Sequence, residues 1–308
     1  MNELGINING SEGNNIMGEF AEDEFEAFFS NFAGWKLLYR NVDLKDLKYP
    51  DENKTENKGY DFIYELFEPF EKIKQGAIIE SKKIEDISDF VPSRLSDDIE
   101  IFKYKIKKAI NSQELHDDQK IRSYDLKSFR YGILCYRFIK FDFDRYYKTL
   151  EKYKPSERTR DLNFPVIFIL SNDKLHAFSE LKKCTKQLTF YNRDPFSNNQ
   201  LVESEKLSLF HMFSDIIPFR ESGADNNNNS CGILSFDKPS VESFLFIEHF
   251  CMNFNFEISK IIFVNCDFTK ESLYNQYKSE IQSLNDIEAL YFGSGGMDCS
   301  QKLNKVFK

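Results

Sequence analysis

Gly59-Tyr60-Asp61-Phe62-Ile63-Tyr64-Glu65-Leu66 and Gly76-Ala77-Ile78-Ile79-Glu80-Ser81-Lys82 are two short apolar stretches, the first with two acids set into it and the second with one. Their β-branched and aromatic content predicts strands, and they lie close enough in sequence to pair as a hairpin. Side chains two apart share a face of a strand, so Glu80 and Lys82 point one way and Ile79 and Ser81 the other. An acid and a base on one side of an otherwise apolar strand are costly to bury without partners. A paired strand carrying Asp61 supplies a second carboxylate beside Glu80. Two close carboxylates repel unless a cation lies between them, and hard oxygen ligands suit Mg²⁺. Lys82 beside such a cation is placed to orient or deprotonate a water, or to stabilise charge building on a phosphate.

Upstream, residues 1–17 are Gly/Asn-rich and read as a loose arm. From Gly18 a helix is expected, because Ala21, Phe25, Phe28, Phe29 and Phe32 make one apolar stripe on a 3.6-residue period. Acids crowd its first turns, where they complement the helix dipole, and Gly34 stops it. Taking about 100° per residue, Glu22 and Glu24 flank the stripe at similar distances, and the wheel does not choose between them. Trp35 to Arg40 reads as a strand, and the polar stretch 43–58 as an exposed connection.

Downstream, residues 97–111 read as a helix. Leu126, Phe129, Ile133, Tyr136, Phe143, Tyr147 and Leu150 repeat at spacings of three and four with one gap at Lys140, which predicts a long second helix ending before Pro155. Phe164 to Leu170 is a strand, with Pro165 tolerated near its start. Asp225-Asn226-Asn227-Asn228-Asn229-Ser230 is a loop. Lys260 to Val264 is a strand, 270–284 a helix, and Ala289 to Phe292 a last strand running into Gly293-Ser294-Gly295-Gly296, a flexible turn. Helices and strands alternate throughout, which gives an α/β class with a mixed sheet.

Composition narrows the chemistry. The chain has 308 residues, 41% of them hydrophobic, with 32 Phe against one Trp, so Phe is the general core filler. No stretch approaches about 18 uncharged apolar residues, and the first residues lack the basic start and apolar core of a signal peptide. The six cysteines form no Cys-x-x-Cys pair, so buried free thiols in a reducing cytoplasm are expected rather than zinc or disulfides. The four histidines stand apart, which argues against a zinc hydrolase. Net charge is −9, but unevenly spread: residues 1–102 carry net −12, residues 103–160 net +8 and residues 161–308 net −5. A basic middle segment in an acidic protein is either a phosphate-facing surface or a solvated helix face. Tyr136, Tyr146 and Tyr147, set among its Lys and Arg, read as core at helical spacing.

The order of these features resembles the PD-(D/E)XK nuclease superfamily, with its restriction-endonuclease-like fold. That pattern is an acidic helix, here Gly18-Glu19-Phe20-Ala21-Glu22, a strand, an Asp on the next strand and Glu-x-Lys on the one after. The chain departs from the commonest form in lacking Pro before the Asp and in the 18 residues between Asp61 and Glu80. The resemblance covers residues 18–82. It implies a restriction-endonuclease-like core with a mixed central sheet flanked by helices over residues 1–175. Residues 176–308 would be a C-terminal α/β extension, either completing that domain or docking a partner. It implies a metal site on Asp61 and Glu80, with Lys82 as the catalytic lysine. Members with a Gly-x-x-x-Glu opening add a Glu from the helix, which favours Glu22, and the Ser81 carbonyl would complete the set. The expected activity is a Mg²⁺-dependent endonuclease, with Mn²⁺ able to substitute, acting on DNA rather than RNA. The basic segment around 120–160 would be a helix gripping the backbone. The resemblance extends to effector subunits of bacterial antiphage defence, which implies a cytoplasmic protein with a partner subunit. The alternative is a catalytically silent nuclease-like scaffold or nucleic-acid-binding subunit.

Overall fold

The computed structural model describes residues 21–42, 59–69, 74–122, 124, 129, 131–154, 165–185, 187–194, 200–222, 230–293 and 304–307. The expectations for the arm 1–17, the connection 43–58, the loop at 225–229 and residues 294–296 therefore lie outside the described residues.

Helix α1 (residues 21–32) widens into a π-turn over Phe28–Phe32. Its stripe of Ala21, Phe25, Phe28, Phe29 and Phe32 is buried as the periodicity predicts. Gly34 follows with φ +72°, a left-handed conformation that glycine adopts without a Cβ penalty. The chain then enters β1 (Lys36–Val42), β2 (Tyr60–Glu65) and β3 (Gly76–Asp86), an antiparallel meander. Helix α2 (Pro92–Ile110) opens on Pro92, whose missing N–H costs nothing in a first turn. A short α3 (Gln113–Asp117) leads to β4 (Tyr131–Lys140), α4 (Phe143–Lys152) and β5 (Val166–Leu170). Strands β3, β4 and β5 are parallel, so the first sheet is mixed, in the order β1-β2-β3-β4-β5.

The long helix expected through 126–150 is not there. Its centre is β4, whose first eight residues are all buried, and among the described residues of this stretch only 143–152 are helical. A central strand covered on both faces is apolar at nearly every position, and such a run satisfies a spacing of three or four as readily as a spacing of two. The basic segment is therefore no continuous helix. Tyr136 and Tyr146 are core residues, as helical spacing alone also suggested, with Tyr147 packed partly buried against them.

Helix α5 (Asn172–Cys184) connects to a second sheet. It holds β6 (Gln187–Arg193), β7 (Leu201–Ser204), β8 (Ile216–Ser222), β9 (Ser230–Ser235), β10 (Lys260–Cys266) and β11 (Glu288–Gly293), in the order β11-β10-β9-β8-β6-β7. The short α6 (Leu209–Met212) lies before β8, and α7 (Val241–Phe254) and α8 (Glu271–Ser279) cross between the parallel strands β9, β10 and β11. A final turn, α9 (Asn304–Phe307), returns to α1.

Three apolar clusters layer these parts. One core lies between the two sheets and contains Phe28, Phe62 and Ile79 from the first half with Phe178, Phe219 and Ile262 from the second. Rings pack through it: Phe28 stacks on Phe32, tilts against Phe178 and meets Phe307 edge to face, at 5.3–5.6 Å between centroids. A second core fills the other face of the first sheet under α2 and α4, and a third lies under α7 and α8. Cys135 and Cys266 are buried free thiols, whereas Cys231 and Cys251 are free but half-buried. No described helix is long and apolar enough to cross a membrane.

Packing at the start of β3 is tight enough to test. A Cβ added to Gly76 would stand 2.1 Å from the ring of Phe129, itself fully buried. Gly76→Ala is expected to cost about 1–3 kcal/mol by overpacking, read as a lower melting temperature. An unchanged melting temperature would show that the Phe129 ring can give way.

Candidate active site

Strands β2 and β3 pair with Phe62 opposite Ile79, so one step further the register sets Asp61 opposite Glu80. The face they share with Ile63 and Ile78 is the one under α2. Asp61 Oδ2 accepts from the Ser81 backbone N–H at 2.6 Å, which fastens this carboxylate to the Glu80 strand. Burial first, and then the charge of Glu80, push the Asp61 carboxyl up to about 7, against the Ser81 hydrogen bond, which pulls it down. That shift reports two carboxylates sharing one poorly solvated place.

Glu80 is buried at 7% exposure. Its Oε1 lies 3.7 Å from Lys82 Nζ and accepts a 2.5 Å hydrogen bond from Lys105 Nζ of α2. Its Oε2 is buried with no hydrogen-bond partner among the described residues. An orphaned buried carboxylate oxygen is expensive, and here it lies beside a second carboxylate. Asp61 and Glu80 offer hard oxygens of the kind a small divalent cation accepts, and Ser81, whose carbonyl was expected to complete the set, is tied to Asp61 through its N–H. The residues fit such a cation, although no group of three or more His, Cys, Asp or Glu that could hold a metal is found among the described residues.

The reason is the position of Glu22. Its carboxylate lies 3.6 Å from Arg40 of β1, which also draws Asp23 (2.8 Å) and Glu26 (2.7 Å) from the same helix. Glu22 still adds to the rise of Asp61, so it is near the pair without joining it. Glu24, the residue that the wheel left open, is buried and bonds Arg137 of β4 at 2.5 Å. Three of the four site residues named from sequence thus come together: Asp61, Glu80 and Lys82.

Sequence reasoning missed Lys105 and Arg137. Lys105 is one of four lysines in Lys103-Tyr104-Lys105-Ile106-Lys107-Lys108, and Lys103 flanks the same buried Phe102 and Ile106, so no local signal singles Lys105 out. Arg137 carried a clearer signal, a lone charge in the apolar run Ile133-Leu134-Cys135-Tyr136-Arg137-Phe138.

Among proteins with curated descriptions, none matches the chain. The family model described as the GAPS4 protein PD-(D/E)XK nuclease domain matches residues 11–202, well over half of the chain. The match takes in the whole first sheet, the acid pair and Glu80-Ser81-Lys82, and it ends within β7. PD-(D/E)XK nucleases generally use divalent metals, in keeping with the oxygen set on β2 and β3. The chain belongs to this family of PD-(D/E)XK nuclease domains, one linked to antiphage defence.

Proposed function

We propose that the protein is a Mg²⁺-dependent endonuclease that hydrolyses phosphodiester bonds in DNA in preference to RNA, with Mn²⁺ able to replace Mg²⁺. The observation that carries this reading is the Glu80 carboxylate, pinned by Oε1 between two ammonium groups, with a buried Oε2 that has no hydrogen-bond partner among the described residues, on a strand position opposite Asp61. A bound divalent cation would neutralise phosphate charge and lower the pKa of a water. Asp61, Glu80 and the Ser81 carbonyl would hold it, with Glu22 available from α1 if it leaves Arg40. Lys82, 32% exposed at the rim, is the group free to meet a water or a phosphate oxygen. Incubation of the pure protein with DNA and RNA in Mg²⁺, Mn²⁺ or EDTA tests the reading. Metal-dependent DNA cleavage supports it, and a protein that neither binds Mn²⁺ nor cuts either polymer belongs instead to the silent scaffold class.

Backbone binding falls to what is left of the basic segment. Arg145, Lys148 and Lys152 are exposed on α4 and, against Asp142 and Asp144, leave a net positive lining to a groove of about 500 Å³ beside Phe90, Val91 and Pro92. Replacing all three with Ala is expected to weaken DNA binding at least tenfold and to flatten the slope of log K against log salt by about two to three. Filter binding or fluorescence anisotropy over a salt series reads this directly, and an unaltered slope would place the phosphate contacts elsewhere.

The proposed biological role is that of an effector subunit in a bacterial antiphage system, acting in the cytoplasm and restrained by a partner protein. A nuclease without sequence specificity needs such restraint. The partner is proposed to dock on residues 176–308, where Leu245, Phe246 and Met252 of α7 are exposed apolar side chains. Size-exclusion chromatography with the product of the neighbouring gene tests this. A strictly monomeric, constitutively active enzyme would count against it.

A further inference from the structure

Lys105 is held in a way that a structural lysine does not require. Its ammonium donates to Glu80 Oε1 at 2.5 Å and to the Gly59 carbonyl at 3.0 Å. Its own carbonyl accepts from the Tyr60 hydroxyl at 2.9 Å, and its Nζ lies 6.0 Å from the centre of the Tyr60 ring. One residue of α2 is thus fastened both to Gly59-Tyr60, which lead into Asp61, and to Glu80 on the neighbouring strand. The Lys105 side chain is only 10% exposed.

A buried lysine kept only for packing would be expected to leave its acid partner fully satisfied. Here the acid is held at one oxygen, and the other stays buried and unpartnered among the described residues. Pinning Oε1 fixes the plane of the carboxylate and so fixes where Oε2 points. The charges are also balanced: two carboxylates, Asp61 and Glu80, against two ammonium groups, Lys82 and Lys105. A divalent cation entering this set meets no net negative charge, so its affinity is lower than the two acids alone would give.

We infer that Lys105 is a positioning residue of this site: it orients Glu80 for the cation and moderates how tightly the acid pair holds it. The inference rests on the nuclease reading above. It separates two effects that one substitution would confuse. Lys105→Met removes both the charge and the hydrogen bond. Lys105→Gln removes the charge and keeps a donor aimed at Glu80, on a side chain one atom shorter.

The test is Mn²⁺ titration of the full-length protein, followed by paramagnetic resonance or calorimetry, with DNA cleavage at saturating metal alongside. Both variants are expected to bind Mn²⁺ roughly ten- to a hundredfold more tightly, since one positive charge near the cation is gone. Lys105→Met is expected to lose cleavage by about 10²-fold, as a misplaced ligand does, and Lys105→Gln to recover most of it. If wild type binds Mn²⁺ and neither variant binds it more tightly, Lys105 is structural and the inference fails while the nuclease reading stands. If wild type binds no Mn²⁺, both fail. Should Lys105→Met not fold, the affinity of Lys105→Gln decides the matter alone.

Discussion

Glu80→Gln and Lys82→Met are each expected to lower phosphodiester cleavage by about 10³-fold or more while leaving the fold intact. The size follows from what each group does. Removing one preorganised charge from a transition state costs about 10²–10³ in rate, and removing a proton-transfer group about 10²–10⁴. Glu80 offers the only carboxylate oxygen in this pair that is both buried and unpartnered among the described residues, so its loss also weakens metal binding. Gln is the better replacement than Ala. Gln keeps a side-chain oxygen that accepts from the nearly buried Lys105 ammonium, whereas Ala leaves that donor short of a partner, a loss that would confuse unfolding with lost chemistry. Lys82 carries no such risk, because its side chain is 32% exposed and its nearest acid is 3.7 Å away. Lys82→Met should therefore bind Mn²⁺ at least as well as wild type and still fail to cut. Single-turnover cleavage beside thermal unfolding decides the point. Activity within tenfold of wild type in both variants would remove the site from β2 and β3.

The part of this site that was legible in sequence is the part written in a period of two. Glu80 and Lys82 stand two apart in an apolar strand, and Asp61 stands in a second such strand close enough to pair, so the shared face followed from strand geometry alone. Helix α1 was equally legible, because its one stripe of Phe alternates cleanly with acids. What failed was β4. A strand with parallel partners on both sides has no polar face, and without alternation its residues matched a helical spacing by accident. Arg137 was the one break in that run, and its partner Glu24 lies 113 residues away, a distance no local pattern spans. The choice between Glu22 and Glu24 had the same difficulty. Both flank one stripe, and only Arg40 and Arg137, on strands folded against the helix, distinguish them. The second sheet was partly visible in Lys260 to Val264 and Ala289 to Phe292, whereas β6 to β8 are more polar, and β7 has only four residues, so they gave no period to read.

Asp61→Asn is expected to stabilise the protein without metal and destabilise it, relative to wild type, with metal. Burial and Glu80 raise the Asp61 carboxyl from 3.8 to about 7. A raised carboxyl means that the folded state binds the proton more tightly than the unfolded chain does, so stability falls as pH rises between these two values. Below about pH 4 the acid is protonated in both states and costs nothing; above about pH 7 the full cost of the buried charge is present. Asn does not ionise, can still accept from the Ser81 N–H, and can turn its amide toward Glu80. In EDTA the variant should therefore unfold at a higher temperature than wild type at pH 8, by about 1–3 kcal/mol of added stability, with the difference closing toward pH 4. Saturating Mg²⁺ acts in the opposite sense. A ligand that binds only the folded state stabilises it by mass action, and the ionised pair of wild type is the better ligand set, so the order of the two proteins should reverse. Thermal unfolding of both across pH 4–8, with EDTA and then with Mg²⁺, reads the whole argument. If Asp61→Asn is the less stable protein in EDTA at every pH, the two carboxylates do not repel. If Mg²⁺ raises both melting temperatures equally, the cation binds somewhere other than between Asp61 and Glu80.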